Sequence, residues 1–452
     1  MFHDKSSLFS YASLTGRALL LGAASLAVYA ANPPAARATT PSVINGGGAT
    51  QDQSDWEQEQ SIWNSGNPSS AQWGTYWGSG SGAGQTALLN DDLTCDINKV
   101  TGANSGSCTG GSGVGQAGNT VDYAASDLPF TDAQIANWAN YEYGQPAAGD
   151  LIQVPTLGVG IAIPVSNSAV KANGALILTD SDLCGVFSGK LTDFSQLTLG
   201  KGSVVPTVGT ISVVVRSDSS AGTFLLTNHL SAVCNASNSS ITFTATSTFA
   251  NLFGGTLPTN FVAEKGDGAL SDEIEDLPSA LSYITPAYTT IAPDSGQLVN
   301  GKPSTILVAA VLNGKTAELP TTKSIKAGLA KAQQGQNLTP PTSASAGLNP
   351  NAWLPIIQVT KTGYPIVGYG GLEFAQCYAD QTIGTAIKGF LAAHYKNASY
   401  VMVQDNNGYV TIVNSGAAKF LTTVQDHILS NKKGAWNEDI DDATACKGLV
   451  GR

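Results

Sequence analysis

The chain has 452 residues, only 12% of them charged, is rich in Gly, Ser, Thr, Asn and Ala, and carries a formal net charge of −11. That length allows two or three domains with sizeable cores, and the acidic balance excludes nucleic acid and anionic membrane surfaces as partners. Any anion this chain binds must be held by local geometry. At the N-terminus, Lys5 and Arg17 flank the approach to an apolar run over 18–30 that is too short to span a bilayer, and Ala36-Arg37-Ala38 has the small-x-small form of a cleavage site. Residues 1–38 are therefore expected to be an export signal, leaving a periplasmic or secreted protein that starts near Thr39 and is not inserted in a membrane; a retained anchor is the alternative on the same residues. Without 1–38, 19 Lys and Arg face 32 Asp and Glu, a net charge of −13.

The mature chain opens with a short strand, Ser42-Val43-Ile44, that breaks at Gly46-Gly47-Gly48-Ala49-Thr50-Gln51 before a helix over 56–63. A strand over 72–77 then ends in a Gly/Ser turn over 78–84, and a helical stretch follows from Gln85. Residues 93–119 read as a surface loop pinned by Cys95 and Cys108. Residues 121–129 read as a strand end with Asp127 in its polar tip, before a helix over 131–143; Asp127 could equally be a helix N-cap there. The apolar run over 153–165 suits a crossover between lobes. Strands and helices alternate from 175 to 360, with a lysine-bearing helix over 324–334 and a Pro/Ser-rich connector over 339–346. A second buried strand over 363–369, a helix near 380–394 and a segment over 414–430 complete an α/β pattern without internal repeats.

The stretch that organises the rest is Arg216-Ser217-Asp218-Ser219-Ser220-Ala221-Gly222-Thr223, which follows the apolar run Ile211-Ser212-Val213-Val214-Val215 and enters a segment with Leu226, Leu230 and Val233 at helical spacing. The first N–H groups of a helix lack internal partners and carry the positive end of its dipole, so this is a third strand, turn and helix start able to hold an anion. Of four arginines, Arg17 and Arg37 lie in the expected signal and Arg452 is the last residue, so Arg216 is expected to be the one arginine inside the mature protein. Its planar fork suits bidentate binding of phosphate or carboxylate. A Ser-rich loop capping an ordinary helix would give the same octet.

All six cysteines lie in the mature part, and an even count in an exported chain reads as disulfides. Sequential pairing, Cys95–Cys108, Cys184–Cys234 and Cys377–Cys446, is the simplest arrangement. No Cys-x-x-Cys is present and the mature histidines, His229, His394 and His427, are scattered, so no zinc or other metal site and no cofactor are expected.

Taken together, Ile44-Asn45-Gly46-Gly47-Gly48-Ala49-Thr50, Gly80-Ser81-Gly82, the 121–129 stretch, the octet with Leu226-Thr227-Asn228-His229-Leu230, the 363–369 strand, Gln376-Cys377-Tyr378-Ala379-Asp380 and the ending from Cys446 to Arg452 resemble the DING branch of bacterial periplasmic phosphate-binding proteins. The resemblance covers nearly the whole mature chain and implies a type II two-lobed periplasmic-binding-protein fold. Two crossovers, near Pro155 and Gly363, would divide it into a first lobe of 39–155 with 363–452 and a second lobe of 156–362. It further implies a phosphate shell of Thr50, Gln51, Ser81, Asp127, Arg216, Ser220, Gly222 and Thr223, with Asp218 orienting Arg216. Asp127 would accept the proton of monohydrogen phosphate and repel sulfate, which has none. Two departures stand out. Ser220-Ala221-Gly222-Thr223 is one residue longer from the arginine than the family's Ser-Gly-Thr, leaving Ser219 and Ser220 both open as donors, and Gln51 replaces an apolar residue. The implied partners are inorganic phosphate and an ABC-type phosphate permease, with the protein a monomer. A secreted phosphomonoesterase of the DING type and an extracellular adhesin or structural protein are the alternatives.

Overall fold

Two apolar runs set the architecture, because a strand buried on both faces needs a long apolar segment and a partner along its length. Leu151–Gly160 and Val367–Ala375 are buried throughout and pair antiparallel in the computed structural model, which describes residues 41–91, 120–141, 144–433 and 436–452. The expected export signal and Cys95–Cys108 lie outside the described residues. The two runs form the spine of a six-stranded sheet, ordered Val410–Thr411, Leu151–Gly160, Val367–Ala375, Tyr123–Ala125, Gly46–Gly48 and Trp77–Gly78. A seven-stranded sheet is ordered Phe261–Glu264, Ser212–Arg216, Ala280–Leu281, Ile163–Ser166, Leu307–Asn313 and Thr316–Glu318, with Ile177–Leu178 also paired to Leu307–Asn313. With helices packed on these sheets, the architecture is the two-lobed α/β one.

The chain leaves the first sheet after Gly160, enters the second at Ile163 and returns before Val367. At the junction the Ile161 N–H donates to the Ile366 carbonyl at 3.0 Å, so the two passages lie side by side. We propose these passages as the lobe boundaries. Pro155 lies earlier, inside Leu151–Gly160 at an irregularity in its pairing with Val367–Ala375, where its missing N–H is tolerated.

Local structure departs from the sequence reading at several points. Residues 72–77 are not one strand but two short ones, Gln72–Trp73 and Trp77–Gly78, parted by Gly74-Thr75-Tyr76. The helix expected from Gln85 begins at Ser81. The helix expected over 324–334 runs Thr322–Leu329 and gives way to the strand Ala332–Gln336, which pairs with Ile356–Thr360. Thr131, not Asp127, caps the Asp132–Asn140 helix, through a capping box with Gln134.

The Gln53–Gly66 helix carries Trp56, Glu59 and Trp63 on one face, and all three are buried. Trp56 stacks on His394 at 5.2 Å and lies 6.1 Å from Phe390, while Trp63 meets the same Phe390 edge-on at 6.0 Å. Burying an aromatic side chain contributes about 2–3 kcal/mol, so this contact with the Gln381–His394 helix fixes the orientation of the segment that leads into Gln53. Cys184–Cys234 closes with an S–S distance of 2.04 Å and Cys377–Cys446 with 2.02 Å. The first joins the Asp180–Phe187 helix to the end of Ala221–Val233; the second ties the last segment to the residues after Val367–Ala375.

Candidate functional site

Parallel pairing brings the turn residues together. Gly46–Gly48 lies between Trp77–Gly78 and Tyr123–Ala125, parallel to both, so the residues that follow them, Thr50, Ser81 and Asp127, emerge at one edge of the first sheet. In the second sheet Ser212–Arg216 runs parallel to Phe261–Glu264, with Arg216 opposite Glu264. Ligands in open α/β sheets are held beyond such carboxyl ends, where loops lead into helix N-termini.

Arg216 ends its strand and is 2% exposed. Its Nε and Nη2 donate to the two oxygens of Asp218 at 2.8 and 2.6 Å, a bidentate fork that fixes the guanidinium plane. Nη1 donates at 2.8 Å to Oδ2 of Asp267, and the Thr50 hydroxyl donates to that same oxygen at 2.7 Å. Burial alone would depress the Arg216 pKa, but Asp267 and Asp218 outweigh it and push it up, so the guanidinium stays charged. Burial opposes ionisation of Asp218, yet Arg216 and the Gly266 N–H hold its pKa below the usual carboxylate value. Gly80, at φ +96°, abuts this fork: a Cβ there would lie 2.4 Å from Asp218 Oδ2.

Gln51 Nε2 donates to Asp127 Oδ2 at 2.9 Å, and Asp127 Oδ1 accepts from the Gly371 N–H at 3.2 Å. Asp52 is fully buried beside this pair. A Cβ on Gly370 would sit 2.8 Å from Asp52 Oδ2 and 3.2 Å from Asp127 Oδ1, so the carboxylates converge over a residue that must be small. Burial pushes Asp52 up to about 7; burial and the Asp52 charge push Asp127 well above its ordinary value. Burial thus disfavours the ionised form of both carboxyls.

At the third turn Ser220 is the N-cap of Ala221–Val233 and accepts from the Thr223 N–H at 3.4 Å. The Ser219 hydroxyl is engaged with Ser247 at 2.8 Å. Gly222 lies beside the Gln51 amide, whose Oε1 is 3.4 Å from the Gly222 Cβ position. The Thr223 hydroxyl pairs with Tyr283 at 2.7 Å, and Tyr283 also accepts from the Arg216 N–H at 3.0 Å. Ser81 is the first residue of its helix and is buried; the following N–H, of Gly82, donates to the Ser219 carbonyl, in the turn after Ser212–Arg216, at 3.3 Å. The structure thus joins Thr50 to Arg216 through Asp267, Arg216 directly to Asp218, and Gln51 to Asp127, while Ser81, Ser220 and Gly222 lie at the same junction.

Asp52, Asp267 and Tyr283 escaped the sequence reading. Asp267 belongs to a fourth strand, turn and helix unit, Phe261–Glu264 followed by Gly266–Asp276, whose sequence signal was the Gly266-Asp267-Gly268 turn. The expectation of one internal arginine is corrected: Arg452 is 2% exposed, pairs with Asp91 at 3.4 Å and lies over the Trp138 ring at 5.3 Å. Among the described residues, Asp55, Glu59 and His394 come close enough to share a metal ion. Both His394 nitrogens are already engaged, Nδ1 with Glu59 at 2.6 Å and Nε2 with the Thr156 carbonyl at 3.0 Å, so the group reads as a buried ion pair; burial and the Glu59 charge push Asp55 well above its ordinary value.

A model of the PBP superfamily domain matches residues 35–422. The chain belongs to that superfamily, among the DING-type proteins. It is 33% identical over 364 residues to alkaline phosphatase L of Pseudomonas aeruginosa, covering 78% of this chain and 81% of that protein. To a phosphate-binding protein of an unknown prokaryotic organism it is 30% identical over 368 residues, covering 78% and 86%. Among solved structures, the high-affinity periplasmic phosphate-binding protein PfluDING, bound with phosphate, superposes with a TM-score of 0.70 at 28% identity, covering 90% of this chain and 99% of that one. Among the described residues no helix is long and apolar enough to cross a membrane.

Proposed function

We propose that this DING-type protein is an exported, high-affinity binder of inorganic phosphate, which it passes to an ABC-type phosphate permease or scavenges outside the cell. The observation that carries this reading is the buried Arg216 guanidinium, fixed by Asp218 where turns from both lobes meet. A dehydrated phosphate needs donors on all sides; the Arg216 Nη1 edge, the Thr50, Ser81 and Ser220 hydroxyls, and the N–H groups at Gln51, Gly222 and Thr223 would supply them. Monohydrogen phosphate also needs an acceptor for its own proton, and Asp127 would provide one when ionised, where sulfate would meet repulsion. Likeness to proteins named for phosphate binding supports the reading.

A second reading, hydrolysis of phosphate monoesters, is favoured by the name of the Pseudomonas aeruginosa relative and by the Thr50 hydroxyl lying 2.7 Å from the Asp267 carboxylate, a hydroxyl beside a potential base. Equilibrium binding of radiolabelled phosphate by the purified protein, beside turnover of an aryl phosphate, separates the two. Saturable phosphate binding without turnover is expected. Turnover lost in Thr50→Val would favour the esterase.

A further inference from the structure

We propose that Asp267 is a built-in competitor of the anion, a carboxylate that latches the lobes together by taking donors a bound phosphate would use. The inference rests on the phosphate reading for its ligand, but its geometry stands by itself. One oxygen, Asp267 Oδ2, accepts from the Thr50 hydroxyl of the first lobe at 2.7 Å and from Arg216 Nη1 of the second at 2.8 Å. A hydroxyl and a guanidinium from opposite lobes, meeting on one anionic oxygen, is the coordination expected of a phosphate oxygen in a closing cleft.

Alignment of Arg216 does not explain Asp267. The guanidinium plane is already fixed by Asp218, which takes Nε and Nη2, so the Nη1 edge is the one left to face a ligand. Asp267 covers that edge. Its side chain is 4% exposed, and Gly266, at φ +75°, turns the start of the Gly266–Asp276 helix toward Thr50. The Asp267 N–H itself faces the Thr50 hydroxyl at 3.4 Å. Asp218 already occupies one side of this guanidinium, so another carboxylate on its Nη1 edge adds repulsion to an incoming anion. Phosphate must displace it from Thr50 and Arg216, and its affinity is reduced by the cost of that displacement.

The test compares the parent with Asp267→Asn, which keeps the shape and removes the charge, and Asp267→Ala, which removes the bridge. Phosphate affinity is read by equilibrium dialysis. The lobe spacing of protein dialysed against phosphate-free buffer is read as the distance between spin labels on cysteines replacing the exposed Ala133 and Ala245. A latch predicts phosphate binding about ten- to a hundredfold tighter in Asp267→Asn, and a longer or broader label distance in both variants. Weaker or unchanged phosphate binding in the folded variants would make Asp267 an aligning partner of Arg216 and overturn the proposal. An unchanged label distance would overturn the latch even if affinity moved. If the parent fails to bind phosphate while the distance widens in both variants, the ligand reading fails and the latch stands.

Discussion

Arg216 gives Nε and Nη2 to Asp218 and Nη1 to Asp267, so its charge and its shape are both in use. Arg216→Lys separates them: an ammonium keeps the charge but cannot hold both oxygens of Asp218 in one plane while facing a ligand. One lost charge-assisted hydrogen bond is worth about 1.5–3 kcal/mol, so phosphate should bind ten- to a hundredfold more weakly, as read by calorimetric titration. The thermal midpoint should fall as well, because Asp218 and Asp267 are buried and would share fewer donors. Parental affinity in the lysine variant would remove Arg216 from the site. At this scale the sequence was legible where chemistry is local. Asp218 sits two residues from Arg216, inside the octet that carries the family resemblance, and that resemblance assigned it as the arginine's partner; Asp267 lies 51 residues away, and only the parallel pairing of the Phe261–Glu264 and Ser212–Arg216 strands brings it to the same end of the sheet.

The strand, turn and helix units repeat this lesson at the level of elements. Gly46–Gly48, Gly78–Gly84 and the Arg216 octet announced helix starts because glycine and serine interrupt apolar runs there, and all three lead into helices. The fourth was hidden: Phe261–Glu264 is only four residues long, and the Gly266–Asp276 helix is acidic and opens on glycine. The break of Ser324–Gln334 into helix and strand was equally hidden, because Ala332–Gln336 is polar and becomes a strand only through its partner Ile356–Thr360. Gly80 offers an element-scale test. Its φ of +96° with ψ 144° belongs to a region essentially confined to glycine, and its Cα faces Asp218. Gly80→Ala should cost about 1–3 kcal/mol of stability in chemical denaturation, through backbone strain, and should also displace the Asp218 fork. Phosphate affinity should therefore drop along with stability. A stability loss with unchanged affinity would mean that the turn supports its helix without touching the fork.

For the whole molecule, the alternation of strands and helices made the α/β architecture legible, and the two-lobed fold was legible through the resemblance to the periplasmic phosphate-binding proteins. The load of buried carboxyls was not, because burial is a property of the assembled fold. Burial pushes Asp52 and Asp122 each up to about 7 and Glu438 up to about 8. A carboxyl raised in the folded state keeps a proton that the unfolded chain has lost, so the folded state binds more protons between pH 4 and 8 and stability must fall as pH rises through that window. His394 acts in the same direction: burial opposes its charge, but Glu59 outweighs that and raises its pKa, so its contribution is present below its ordinary value and lost as pH rises through the folded one. Asp218, whose pKa is lowered, opposes this only at more acidic pH, where its stabilising charge is lost. The thermal midpoint, measured by calorimetry at constant ionic strength, should therefore be higher near pH 5 than near pH 8. Asp52→Asn should flatten that decline and raise stability at pH 8 by a few kcal/mol, because an amide needs no proton to stay neutral beside Asp127. A midpoint that climbs from pH 5 to 8, or an Asp52→Asn variant with the parental slope, would mean that Asp52 is ionised in the folded protein and that Asp127 has no neutral carboxyl beside it.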